Sequence, residues 1–166
     1  MYSSIEDFVL DFSEESKSTV KVFNALSNES LNQKVWDEGR TLRKIAWHIV
    51  QSLAEMMNKT GLSVKAPRED SPVPDDSKIV STEYENAAES LISEVQSKWT
   101  DEMLQEEIEL YGMKWARKNV LYGLLKHEIH HRAQLTVLMR QAGLKVPGLY
   151  GPAKEEWEQY GMPRQD

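Results

Sequence analysis

Apolar residues recur along this chain at the three- and four-residue spacing of amphipathic helices, in four separate runs. Ile5, Phe8, Val9, Phe12, Val20, Phe23 and Leu26 make the first stripe. Ser3, with Glu6 three residues on, forms a capping-box pattern, so a helix is predicted from Ser3 to near Asn28. A second is predicted to open at Thr41, a good N-cap, and to close at Gly61, with Leu42, Ile45, Ile49, Leu53 and Met56 inward. A third runs from about Ser81 to Trp99, striped by Tyr84, Ala87, Ala88, Leu91 and Val95. The fourth, from Met113 to Ala142, stops at Gly143.

Between these runs the pattern breaks. Residues 62–80 hold Pro67, Pro72 and Pro74 among charged residues and read as a loop. Residues 100–112 contain the alternating run Glu107-Ile108-Glu109-Leu110-Tyr111, extended in character but too isolated to count as a sheet. The tail, rich in Pro and Gly and carrying Trp157, reads as a loop across the bundle plus a short helix. The expected fold is all-α, a single four-helix bundle domain over residues 1–166. The second linker is long enough to cross the bundle, so helices two and three are expected to run parallel.

Composition narrows the function classes. At 166 residues the chain suits one domain with a real core. Net charge is −7 and no dense basic surface is visible, which argues against nucleic acid as a partner. No basic leader and no apolar run of about 18 residues occurs, so neither a signal peptide nor a membrane span is expected, and the location reads as cytoplasmic. There is no cysteine, hence no disulfide, thiolate metal site or cysteine nucleophile.

Three of the four histidines fall in Lys126-His127-Glu128-Ile129-His130-His131-Arg132. His127 and His131 are four apart and share a helical face with Val120, Leu124 and Leu138, where apolar residues would otherwise stand. His48 lies at the edge of the second helix's inward face. A buried imidazole left without partners costs about 1–3 kcal/mol per polar atom, so three of them are an expensive way to build a core. Ligation of one divalent transition metal by His48, His127 and His131 explains all three, and three protein ligands leave a position open for chemistry. His130 lies about 60° round the helix from His127, off the ligand face.

His127-Glu128-Ile129-His130-His131 also satisfies the H-E-x-x-H zinc-protease pattern. The longer form fails, because Gln134 and Val137 stand at its glycine and last-histidine positions. A downstream glutamate ligand, Glu155 or Glu156, would sit on a poor helical platform. Glu128 is therefore expected to be solvated or to stand behind a ligand, and Arg132 to form a salt bridge on the helix flank. Trp47 and Tyr150 are candidates to line a pocket, with core packing the commoner role.

Several segments resemble the DinB/YfiT-like family, a group read as metalloenzymes: Glu38-Gly39-Arg40-Thr41-Leu42, Ala46-Trp47-His48-Ile49-Val50, His127 through Gln134, and Ala142-Gly143-Leu144-Lys145-Val146-Pro147. Ala133 departs from the family's frequent glycine. The resemblance implies an up-down-down-up bundle, a Zn or Ni ion on His48, His127 and His131, and a homodimer. It also implies a small-molecule substrate, and in some relatives a low-molecular-weight thiol cosubstrate such as bacillithiol or mycothiol. The expected function is a metal-dependent S-transferase of such a thiol. The alternatives are a metal-dependent hydrolase and a non-catalytic metal-binding or interaction bundle.

Overall fold

The computed structural model describes residues 2–163. Four helices carry the fold: α1 (Ile5–Asn24), α2 (Leu42–Asn58), α3 (Ser77–Lys98) and α4 (Arg117–Gln141). The capping box of α1 is shifted by one residue from the predicted one. The Ser4 side chain accepts from the Asp7 amide and the Asp7 carboxylate accepts from the Ser4 amide. The helix ends at Asn24, and Asn28–Asn32 forms a separate 3₁₀ turn capped by Ser27. Thr41 caps α2 as expected. Helix α3 begins a turn earlier than predicted, because Asp76 supplies the N-cap. Gly143, at φ 77°, closes α4 in a Schellman arrangement: its amide reaches the Arg140 carbonyl and the Leu144 amide the Met139 carbonyl.

One expectation fails outright. Glu107–Leu110 (β1) pairs antiparallel with Met113–Ala116 (β2), so the chain carries a small two-stranded sheet. Met113–Ala116, predicted as the first turn of the last helix, is its second strand, and α4 starts only at Arg117. The hairpin is not isolated, because Leu110 is buried and Ile108 and Trp115 pack on the bundle core. Its two-residue turn, Tyr111-Gly112, has φ 52° and 73°, the left-handed pair that fits strand twist.

The core is built from the predicted stripes. Phe8, Phe12, Leu42, Ile49, Leu53, Tyr84, Leu91, Leu124 and Leu138 are buried to within about a percent. Met57 rather than Met56 closes the α2 stripe. Helices α1 and α3 pack together, as do α2 and α4, and α2 also packs on α3. The start of α1 meets the end of α3 where the Ile5 amide donates to Asp101, and Arg117 at the start of α4 donates to the Thr60 carbonyl beyond α2. After α2 the chain packs against α3. Leu62 and Val64 are buried, and the Ser63 and Lys65 amides donate to Glu94 and Ser90 of α3. No helix among the described residues is long and apolar enough to cross a membrane.

Candidate metal centre

The contact between α2 and α4 brings the three sequence-predicted histidines together. One ring nitrogen each from His48, His127 and His131 lies within 4.8 Å of the others. His48 Nε2 and His127 Nε2 are 3.2 Å apart, and the three ring centroids are separated by 4.5–5.0 Å. Four ligands about 2.0 Å from one tetrahedral ion stand about 3.3 Å from each other, so the closest pair matches the edge of such a site. The rings are half-buried rather than core-filling, which corrects the expectation of a fully inward stripe. They sit at the rim of the helix pair, where a small molecule can approach.

His131 is held from behind. Its Nδ1 lies 2.8 Å from Gln134 Oε1, so Nδ1 is the protonated nitrogen and Nε2 keeps its lone pair for the centre. The Gln134 amide donates in turn to His130 Nε2 at 3.1 Å. His130 stands outside the three-histidine group and supports it through Gln134. His127 Nδ1 is buried with no partner among the described residues.

Burial depresses the pKa of all three imidazoles, and positive neighbours add to it. His127 falls to about 4, first by desolvation, then through His131, His48 and His130, with Glu55 pulling the other way. His48 and His131 are lowered first by burial, and Arg40 contributes to both. The rings are therefore neutral near pH 7, the form that ligates metal. In the metal-free chain, unfolded histidine takes up protons near pH 6.5 while folded His127 does not until about 4. This contribution to stability is present above about pH 6.5 and is lost as pH falls towards 4. Imidazole proton shifts followed by NMR should show His127 titrating well below the ordinary histidine range, and a normal His127 midpoint would refute the burial argument.

Sequence reasoning missed Glu55. It lies seven residues after His48 on the same face of α2, and its charge acts on both His48 and His127. Glu55 pairs with Lys59, and its Oε2 accepts the Tyr111 hydroxyl at 2.6 Å. Tyr111 is the first of the two left-handed residues of the hairpin turn, a position that is strained for a bulky side chain. The unpredicted hairpin thus delivers a hydroxyl to a carboxylate whose charge reaches the histidines. The helical period alone could have flagged Glu55, but nothing in the sequence joined it to Tyr111.

Glu128 and Arg132 face the other way. Glu128 Oε1 accepts Thr19 Oγ1 at 2.6 Å and Tyr84 OH at 2.5 Å, from α1 and α3. Its side chain is buried rather than solvated, and burial raises its pKa against those two donors and Arg132. Buried against α1 and α3, it cannot serve as the base of an H-E-x-x-H site. Arg132 is buried rather than flanking, donating to Glu15, to the Glu15 carbonyl at 2.7 Å, to Thr19 at 3.0 Å and to Tyr150. Tyr150 is largely exposed and ties the tail to this network, while Trp47 is core. Glu155 pairs with Arg140, and Glu156 accepts from the Gly148 and Ala153 amides, so neither joins the histidines.

Comparison with known proteins agrees with the fold described above. The chain is 40% identical over 162 residues to the uncharacterized protein YrdA of Bacillus subtilis strain 168, covering 98% of this chain and 97% of that one. The crystal structure of a DinB-like protein from Bacillus cereus ATCC 10987 superposes with a TM-score of 0.87 at 38% identity, over 90% of this chain and all of that one. A DinB-like protein from B. subtilis, YjoA, shares the fold with a TM-score of 0.65 at 22% identity, over 82% and 92% of the two chains. The profile of the DinB family matches residues 1–165, and the chain belongs to that family.

Proposed function

We propose that this protein is a metal-dependent enzyme that holds one divalent ion, zinc or nickel, on His48, His127 and His131 and transfers a low-molecular-weight thiol to a small electrophile. The convergence of three neutral imidazoles on a half-open rim carries the reading. An ion there would supply Lewis acidity that lowers the pKa of a bound thiol or water. Gln134 fixes the tautomer of His131. Glu55, oriented by Tyr111 and with its charge reaching His48 and His127, would accept the thiol proton. Transfer would form a bond from sulfur to the electrophilic carbon and break that carbon's bond to the leaving group, which would depart with the electron pair. The chain has no cysteine, so the thiol comes from a cosubstrate. Family likeness favours transfer. Hydrolysis is the second reading, because a carboxylate such as Glu55 can equally take a proton from water.

The reading includes an up-down-down-up helix order. The contacts of residues 63 and 65 with the C-terminal half of α3 support it, because they set the ends of α2 and α3 side by side. It also includes a homodimer.

Incubation of the zinc- or nickel-loaded protein with 1-chloro-2,4-dinitrobenzene and a series of thiols tests the activity. Thioether formation that needs both metal and thiol is the expected result. The Glu55→Gln variant should retain its metal while turnover falls about 100-fold or more. Hydrolysis without thiol would select the second reading, and inactivity towards thiol and water with a range of electrophiles would overturn both. Chelation should abolish activity but leave the helical circular-dichroism signal, because the apolar core is complete without an ion. Collapse of that signal on chelation would make the metal structural.

A further inference from the structure

Beside His131 the surface opens into a cleft of about 470 Å³, within the size range of small-molecule sites. Its walls are largely apolar: Val35, Trp36, Ile45, Val137 and Leu138. Three of these are exposed although apolar, Trp36 by 63% and Val35 and Val137 by 54% each. Exposed apolar side chains gathered at one place mark a binding surface more often than chance. The segment presenting Trp36 is built, not frayed. The Leu42 amide donates to the Gln33 carbonyl at 2.9 Å, and the Gly39 amide to the Trp36 carbonyl at 2.9 Å. A Cβ at Gly39 would come within 3.0 Å of both the Trp36 ring and its carbonyl oxygen, so glycine lets this turn close under the indole.

Two charged residues line the same cleft, Glu38 and Arg40. Arg40 forms no ion pair among the described residues, and its charge reaches His48 and His131. The cleft therefore offers an apolar wall, a free cation and a histidine of the metal centre in one place.

We propose that this cleft receives the electrophilic substrate, and that the substrate is an amphipathic anion whose aromatic or branched aliphatic arm lies against Trp36 and Val137 while its anionic group meets Arg40. This rests on the function proposed above and names the substrate class of that site. The competing occupant of such a face is a second copy of the chain.

Two probes test the proposal on zinc-loaded and chelated protein: 3-phenylpropane-1-sulfonate and 3-phenylpropan-1-ol. Binding is followed by amide NMR shifts and by the oligomeric state in sedimentation. The expected result is saturable binding with shifts at Ile45, Val137 and Leu138, tighter for the sulfonate. Arg40→Gln should remove about a five- to tenfold preference for the sulfonate with or without zinc. Val137→Arg, at an exposed position, should block both probes without unfolding the protein. Equal affinity for the two probes, shifts elsewhere, or undiminished binding in Val137→Arg would overturn the proposal. So would a dimer that Val137→Arg converts to monomer while the wild type binds neither probe. Zinc content measured on the same samples separates the two claims. Probe binding without zinc uptake contradicts only the metal reading, and zinc uptake without probe binding contradicts only this one.

Discussion

Replacing His131 with alanine should abolish tight metal binding, while replacing His130 should leave nearly all of it. The two are adjacent in sequence, yet they differ by about 100° round α4. His131 shares a face with His127 and approaches His48 at 4.7 Å between ring centroids, whereas His130 only touches the outer edge of His131, 5.0 Å between ring centroids, and Gln134, and adds no nitrogen to the group. Loss of one of three protein ligands leaves two, which hold an ion far more weakly. Removing the group that orients a ligand is milder, about 10- to 100-fold in affinity. Gln134→Ala should fall in that middle range, because it frees His131 Nδ1. Elemental analysis and competition with a chromophoric chelator, on folded protein, order the variants. Equal losses in His130→Ala and His131→Ala would contradict the assignment.

The largest effect on stability is expected at Arg132, where α4 packs on α1. Its guanidinium is 1% exposed and its partner Glu15 only 13%. It satisfies Glu15, the Glu15 carbonyl and Thr19 together, and Thr19 in turn donates to Glu128. Arg132→Met keeps much of the apolar stem but strands a carboxylate next to a second one with a raised pKa. Breaking such a buried pair costs roughly 3–5 kcal/mol. Urea unfolding of the metal-free protein measures it, and a loss under about 1 kcal/mol would show that the network contributes little. Metal affinity of the folded fraction should be unchanged, because Arg132 does not touch the histidines.

Helical periodicity made four helices and most of the core legible. Tyr84, Ala87, Ala88, Leu91 and Val95 are all buried as the spacing implied. Caps were legible where the residue type leaves few options, at Thr41 and Gly143, and slipped by one at Ser3 and Ser4, where two serines compete. The hairpin was not legible. A four-residue strand is stabilised by what it packs on, and the burial of Leu110 under the bundle end is a tertiary fact. The histidine triad was legible because two members share a helix at one spacing. The directions of Glu128 and Arg132 were not, since both sides of α4 are covered and polarity alone suggested solvent. Their partners Thr19, Tyr84 and Glu15 lie more than forty residues away in sequence.

The most direct test of the account is the coordination of the metal itself. Purified chain titrated with zinc or nickel, followed by X-ray absorption spectroscopy, reports stoichiometry and first-shell atoms together. The account predicts one ion per chain with three imidazole nitrogens at about 2.0–2.1 Å and at least one exchangeable light-atom ligand. Failure to bind either ion at neutral pH, or a first shell without histidine, would contradict it.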